Sequence, residues 1–217
     1  VINWTIIAIN CLVFLYELFC ADQNALITVH GFVPQRFIQD FGLQQISTIF
    51  TAMFMHAGFA HLIGNMWVLA VFGDNVEDKM GHCKYLCFYM VIGVLAFISG
   101  MFFNQDPAEP SIGASGAIAG VLGAYIVMFP QSKVLTFIPV FFFPLFFQVS
   151  AWFFLGFWFF VQALPIFAPQ LADHAVAWWA HVGGFISGMV LVSFFEDKRS
   201  NPKAAMYSYL KDRHKYR

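Results

Sequence analysis

The sequence predicts an all-α membrane protein: a bundle of six transmembrane helices with a long, partly membrane-embedded first loop. Three observations carry this prediction. Of the 217 residues, 60% are hydrophobic and only 11% charged, with a mean hydropathy of +0.70. A soluble domain carries roughly 25% charged residues, so a soluble globular protein is excluded. Six separate stretches approach the length of about 20 mostly apolar residues that a bilayer requires. Polar, reactive side chains stand where three of those stretches begin, and such groups are costly in lipid and mark functional sites there.

The first stretch, Ile2–Ala21, has no basic segment before it and is too long and too polar in its flanks for a cleaved leader. Residues 22–60 follow as the first loop. Pro34, Gly31 and Gly42 break it, while Phe37, Phe41, Ile49 and Phe50 give it apolar patches suited to the membrane surface. It is too long for a mere connector, which favours a functional role. The second stretch, His61–Val76, closes on Glu77-Asp78-Lys79, where Glu77 reads as a cap or an interfacial ion pair. It and the fourth, Ser115–Phe129, are short, as fits helices shielded by neighbours. The third is Tyr85–Phe103 and the sixth Ala177–Phe195. The fifth, Pro144–Phe167, is crowded with aromatic residues from Phe153 to Phe160 and lacks its neighbours' glycine pattern. It reads either as a loosely packed gate for lateral substrate entry or as a plain lipid-facing helix. Residues 1–197 thus form one membrane domain and residues 198–217 a basic cytoplasmic tail.

Six spans leave both termini on one side. That side holds Lys79, Lys84, Lys133 and the seven basic residues of the tail, leaving Arg36 as the single basic residue opposite. By the positive-inside rule both termini are cytoplasmic, and a bacterial plasma membrane is the expected location. His61, Ser115 and His181 then all lie near the outer face. The net charge of −1 offers nothing to a nucleic acid. Cys11, Cys20, Cys83 and Cys87 lack CxxC spacing and read as small apolar residues.

In Gly113-Ala-Ser115-Gly116 the glycines permit a tight turn on both sides of the serine. At a helix N-terminus the backbone amides around Ser115 would supply half of an oxyanion hole. The competing reading makes these residues packing groups, as in Gly116-xxx-Gly120. His181 precedes Gly184 by three and Gly188 by seven, so it shares a nearly bare helix face. Gly116, Gly120 and Gly123 give the fourth stretch its own bare face. Contact between the two faces would bring His181 to Ser115, and a serine with a histidine in reach makes a nucleophile and its base. A histidine hydrogen-bonded across helices is the plainer alternative. His61 and Asn65, four apart on one face, can both donate hydrogen bonds to an oxyanion. His56 reads as a structural or water-ordering residue. The H-x-x-x-x-H spacing is not that of a zinc hydrolase, and no metal or other cofactor is expected. Asp106 and Glu109 fit a solvated loop better than a triad, so a Ser–His dyad is expected.

Together these motifs resemble the rhomboid intramembrane serine proteases over about Thr51 to Gly188. His56…His61…Asn65 with Phe72-Gly73…Val76-Glu77…Gly81 is similar to the family's second-helix signature. Gly113-Ala-Ser115-Gly116 resembles its nucleophile motif, and Ala180-His181-Val-Gly-Gly184-xxx-Gly188 its base-bearing helix. The resemblance implies a six-helix core with a water-filled cavity opening outward. It implies Ser115 as nucleophile, His181 as base, and His61, Asn65 and the Ser115 amide as the oxyanion hole. Gly113 and Gly116 would shape the nucleophile loop. Two departures stand out. The first loop lacks the Trp-Arg pair of some bacterial members, and Ala119 stands where some members place an aromatic residue against the catalytic histidine.

The expected partners are the lipid bilayer and membrane-spanning protein substrates with small or helix-breaking residues near their outer ends. The oligomeric state is not readable from the chain. A catalytically silent relative that binds membrane clients is the leading rival. A channel would spread its polar groups through the full bilayer depth, whereas here they gather on one side.

Overall fold

The computed structural model describes residues 1–103, 106–140, 143–168 and 177–196. Nine helices and one hairpin occur among them: α1 (Ile2–Phe19), α2 (Gln23–His30), α3 (Pro34–Gln39), α4 (Leu43–Ala52), α5 (Phe59–Met80), α6 (His82–Phe103), α7 (Ser115–Met128), β1 (Lys133–Val140), β2 (Phe143–Ser150), α8 (Ala151–Phe167) and α9 (Trp178–Phe195). Three helices, α1, α6 and α9, are long and apolar enough to cross a membrane. The protein is an integral membrane protein with a predominantly helical fold.

Helix α7 is the axis of the bundle. Every residue from Gly116 to Ile126 is buried, because α5, α6, α8 and α9 all pack on it. A helix apolar all round is one surrounded all round. Its closest neighbour is α9, and the reason lies in the glycines. A Cβ on Gly184 would stand 2.1 Å from the Gly116 carbonyl oxygen, one on Gly188 2.1 Å from that of Gly120, and one on Gly123 2.1 Å from that of Phe185. The two bare faces form a seam in which backbone rests on backbone.

Helix α5 runs longer than its apolar pattern, 22 residues instead of the expected His61–Val76. Asp74, Glu77, Asp78 and Lys79 cut the hydrophobic run short but do not break the helix, which ends at Gly81 (φ 81°). Glu77 is buried and caps α1 from the side: its Oε1 accepts from the Ile2 amide at 2.8 Å and its Oε2 from the Asn3 amide at 2.8 Å. The Asn3 side chain then donates to Leu69 O at 3.0 Å and accepts from the Tyr85 hydroxyl at 2.7 Å, tying α1, α5 and α6 together. Replacing Glu77 with alanine leaves the buried Asn3 amide and the half-buried Ile2 amide without their acceptor. The expected cost is about 1–3 kcal/mol, to be read as a lower unfolding temperature in detergent.

One sequence expectation is refined and another corrected. The first loop, expected over residues 22–60, carries the three short helices α2, α3 and α4, started by the Asp22 side chain accepting from Ala25 N and by Pro34 at the first turn of α3. The expected fifth helix does not begin at Pro144. Residues Phe143–Ser150 form β2, antiparallel to β1 with Val134 opposite Val149 and Phe137 opposite Phe146. The chain is therefore not strictly all-α. A short apolar run rich in β-branched and aromatic residues reads equally as helix or strand by periodicity, and Pro139 and Pro144 are tolerated here because both strands of the pair are edge strands. The helix starts at Ala151, where the Ser150 hydroxyl accepts from Phe153 N at 3.3 Å. The expected basic tail, residues 198–217, lies outside the described residues.

Candidate active site

The segment that delivers Ser115 is held by the helices of the first connection. Phe32 and Ser111 exchange backbone hydrogen bonds of 3.0 and 2.8 Å, and Gly113 N donates to Ala52 O at 2.8 Å. These ties turn the chain through Gly113 at φ 122°, a conformation that side chains other than hydrogen rarely adopt. Ser115 follows at the first position of α7. Its own amide and the next ones have no intrahelical acceptor and carry the positive end of the helix dipole.

His181 lies on α9 one turn in from its start, and the Gly184–Gly116 contact sets its height. Its Nε2 is 2.7 Å from Ser115 Oγ. On the other side of the ring, Nδ1 is 2.7 Å from Gln162 Oε1 of α8. The amide oxygen accepts, so Nδ1 carries the proton and the Ser115 hydroxyl donates to Nε2. Trp158 of α8, with its centroid 6.4 Å away, and Trp178, edge-on at 6.2 Å, flank the imidazole. Aromatic residues thus meet the imidazole from α8 and α9, while Ala119 of α7 is buried near Gly184.

His61, Gly113 and Ser115 border one another: a Cβ at Gly113 would stand 2.9 Å from His61 Nε2 and 3.7 Å from Ser115 Oγ. Alanine at 113 is strained in its backbone and drives into the His61 ring. We expect Gly113→Ala to cost about 1–3 kcal/mol of stability, read by thermal unfolding. Asn65 Nδ2 is 3.0 Å from His56 Nε2, and His56 Nδ1 is 3.3 Å from Phe54 O. This is consistent with Nδ1–H donating to Phe54 O while Nε2 accepts from the Asn65 amide. The His56 backbone amide donates to Glu17 Oε2 at 3.2 Å, fastening the loop to α1. Burial, with His61 nearby, pushes the His56 pKa down to about 4, so His56 stays neutral and keeps its acceptor for Asn65 at neutral pH. The structure therefore brings Ser115, His181, His61 and Gly113 together, and places Asn65 against His56, whose ring lies 5.0 Å from that of His61. Gly116 is a packing residue: its Cβ would meet that of Ala96 on α6 at 2.6 Å, and its carbonyl oxygen meets Gly184 in the α7–α9 seam.

Sequence reasoning missed Gln162 and Trp158. The signal was present, since Gln162 is the one polar residue between Ala151 and Leu164, and a lone polar group in a lipid-facing run usually has a partner. Among the described residues, no group of three His, Cys, Asp or Glu side chains is arranged to hold a metal ion.

The Rhomboid domain family model matches residues 43–197. This chain belongs to the rhomboid family. It is 30% identical over 161 residues to the mitochondrial Rhomboid protein 1 of Saccharomyces cerevisiae, covering 70% of this chain and 42% of the yeast protein. It is 31% identical over 146 residues to the mitochondrial RHOMBOID-like protein 6 of Arabidopsis thaliana, covering 66% of this chain and 41% of that one. A Bacillus subtilis protein named as a rhomboid protease is 32% identical over 80 residues, 37% of this chain and 40% of its own length. The chain spans about two fifths of the length of these relatives. Two of the three rhomboids carry mitochondrial names, so the bacterial plasma membrane expected from the sequence gains no support from them.

Proposed function

We propose that this rhomboid is an intramembrane serine endopeptidase that cleaves membrane-spanning substrates through a Ser115–His181 dyad. In this reading α1 and α5 to α9 are the six spans, the termini share the basic side, and the dyad lies near the opposite face. The observation that carries it is the 2.7 Å contact of His181 Nε2 with Ser115 Oγ at the N-terminus of a buried helix.

The chemistry follows from where the protons stand. As Ser115 Oγ attacks a peptide carbonyl carbon, its proton passes to His181 Nε2. The carbonyl oxygen becomes an anion beside the Ser115 amide, the His61 ring and the Asn65 amide. Donors fixed in a dry site are each worth about 10²–10³ in rate. His181 then gives its proton to the leaving amine nitrogen as the C–N bond breaks. Water attacks the acyl-enzyme with His181 again as base, releasing the acid and restoring Ser115. A helical carbonyl is hydrogen-bonded and sterically covered, so the scissile bond must leave its helix first. Small or helix-breaking residues near the substrate's outer end meet that need.

The test is cleavage of a membrane-spanning reporter by the purified protein in liposomes with a chelator present. Cutting near the end of the span that shares a side with Ser115 supports the reading. Binding of the reporter without cutting, for a panel of reporters with helix-breaking outer ends, would replace it with a client-binding role.

A further inference from the structure

We propose that Gln162 of α8 is a positioning residue for His181, holding the Nδ1 proton so that Nε2 faces Ser115 with its lone pair. The inference rests on the Ser115–His181 reading above.

An imidazole that accepts from a serine hydroxyl must keep its other nitrogen protonated. In triad enzymes a carboxylate secures that tautomer. Here the group 2.7 Å from His181 Nδ1 is the neutral oxygen of Gln162, and both ring nitrogens are accounted for by Gln162 and Ser115. Without an acceptor at Nδ1 the proton can move to Nε2. That nitrogen then meets the Ser115 hydroxyl with a hydrogen and not with a lone pair, and it cannot take the serine's proton.

The holder is a helix that packs on α5, α7 and α9. Trp158 and Gln162 are one turn apart, hence on one face of α8. Trp158 and Phe159 lie on Phe185 of α9 at 6.1 and 4.6 Å, and Phe154 stacks with Phe72 of α5 at 6.4 Å. Along the rest of α8, Ala151 and Leu155 are buried whereas Trp152, Phe153, Phe157 and Phe160 are exposed. α8 therefore supplies both the acceptor at Nδ1 and one of the two aromatic walls of the imidazole.

The experiment compares Gln162→Met, which removes the acceptor at similar length, with Gln162→Glu, which keeps an acceptor and has no donor. Each is studied as the full chain in liposomes, with Ser115→Ala alongside. Three quantities are read: kcat, KM for a membrane-spanning reporter, and the rate at which a fluorophosphonate modifies Ser115. In that reaction Oγ bonds to phosphorus, fluoride leaves and His181 takes the proton. Gln162→Met should lose about tenfold in both kcat and labelling rate, the worth of roughly one hydrogen bond, with KM within twofold. Gln162→Glu should stay within threefold of wild type in all three. The proposal is overturned if Gln162→Met keeps kcat and labelling within twofold of wild type. It is equally overturned if Gln162→Glu falls as far as Gln162→Met while unfolding at the wild-type temperature. If Gln162→Met does not fold, Gln162→Ser, too short to reach Nδ1, takes its place under the same criteria. Inactive, unlabelled Ser115→Ala leaves the parent reading standing and lets the Gln162 variants decide alone. A Ser115→Ala protein that cuts like wild type removes both.

Discussion

Ser115→Ala and His181→Ala are each expected to lower kcat by at least about 10³-fold, and the double variant to be no worse than either alone. Residues that act as one unit are strongly non-additive, because removing either partner disables the proton transfer that both serve. The residual rate would be that of water attacking a carbonyl still held by the oxyanion donors. Both variants should remain folded, since Ser115 is at a helix end and the α7–α9 contact is made by glycines, not by this hydrogen bond. Kinetics on a membrane-spanning reporter beside thermal unfolding of the same samples check both halves of the statement. Additive losses would mean that the two side chains serve separate purposes.

Gly184→Val has the largest structural effect we expect. Its Cβ alone would stand 2.1 Å from the Gly116 carbonyl oxygen and 3.1 Å from the carbonyl carbon. These are backbone atoms at the start of α7 and cannot swing aside, so α9 must move. Overpacking of this kind costs about 1–3 kcal/mol, which lowers the unfolding temperature by about 5 °C. The same displacement opens the 2.7 Å contact of His181 with Ser115, so activity should fall to the level of His181→Ala. Gly156 of α8 is the control, since a Cβ there meets nothing within 4 Å. Gly156→Ala should unfold no earlier than wild type and cut as well. If Gly184→Val cut and unfolded like wild type, the seam would not be what sets the distance between base and nucleophile.

The legible part of this fold is the part that glycine and polar residues write directly. Gly116, Gly120 and Gly123 on one stretch and Gly184 and Gly188 on another leave bare faces at helical spacing, and their meeting follows from that pattern. Gly113, held at φ 122°, was marked by its place before the serine. What was not legible depends on chemistry that periodicity does not carry. The run from Lys133 to Ser150 is apolar on both faces of its strands, so no alternation separates it from the helix that follows. Asp74 to Lys79 ended a hydropathy pattern without ending α5, because Glu77 is satisfied by the α1 amides across the interface. Gln162 was overlooked for a different reason. Its partner is 19 residues away and becomes a neighbour only when α8 and α9 pack.

The most direct measurement is the site and His181-dependence of covalent modification by a fluorophosphonate, read by mass spectrometry on the wild-type protein and on His181→Ala in liposomes. The account predicts a single phosphonylated residue, Ser115, and a labelling rate at least about 10²-fold lower without His181. Modification of a different serine, or of Ser115 at an unchanged rate in His181→Ala, would contradict the dyad.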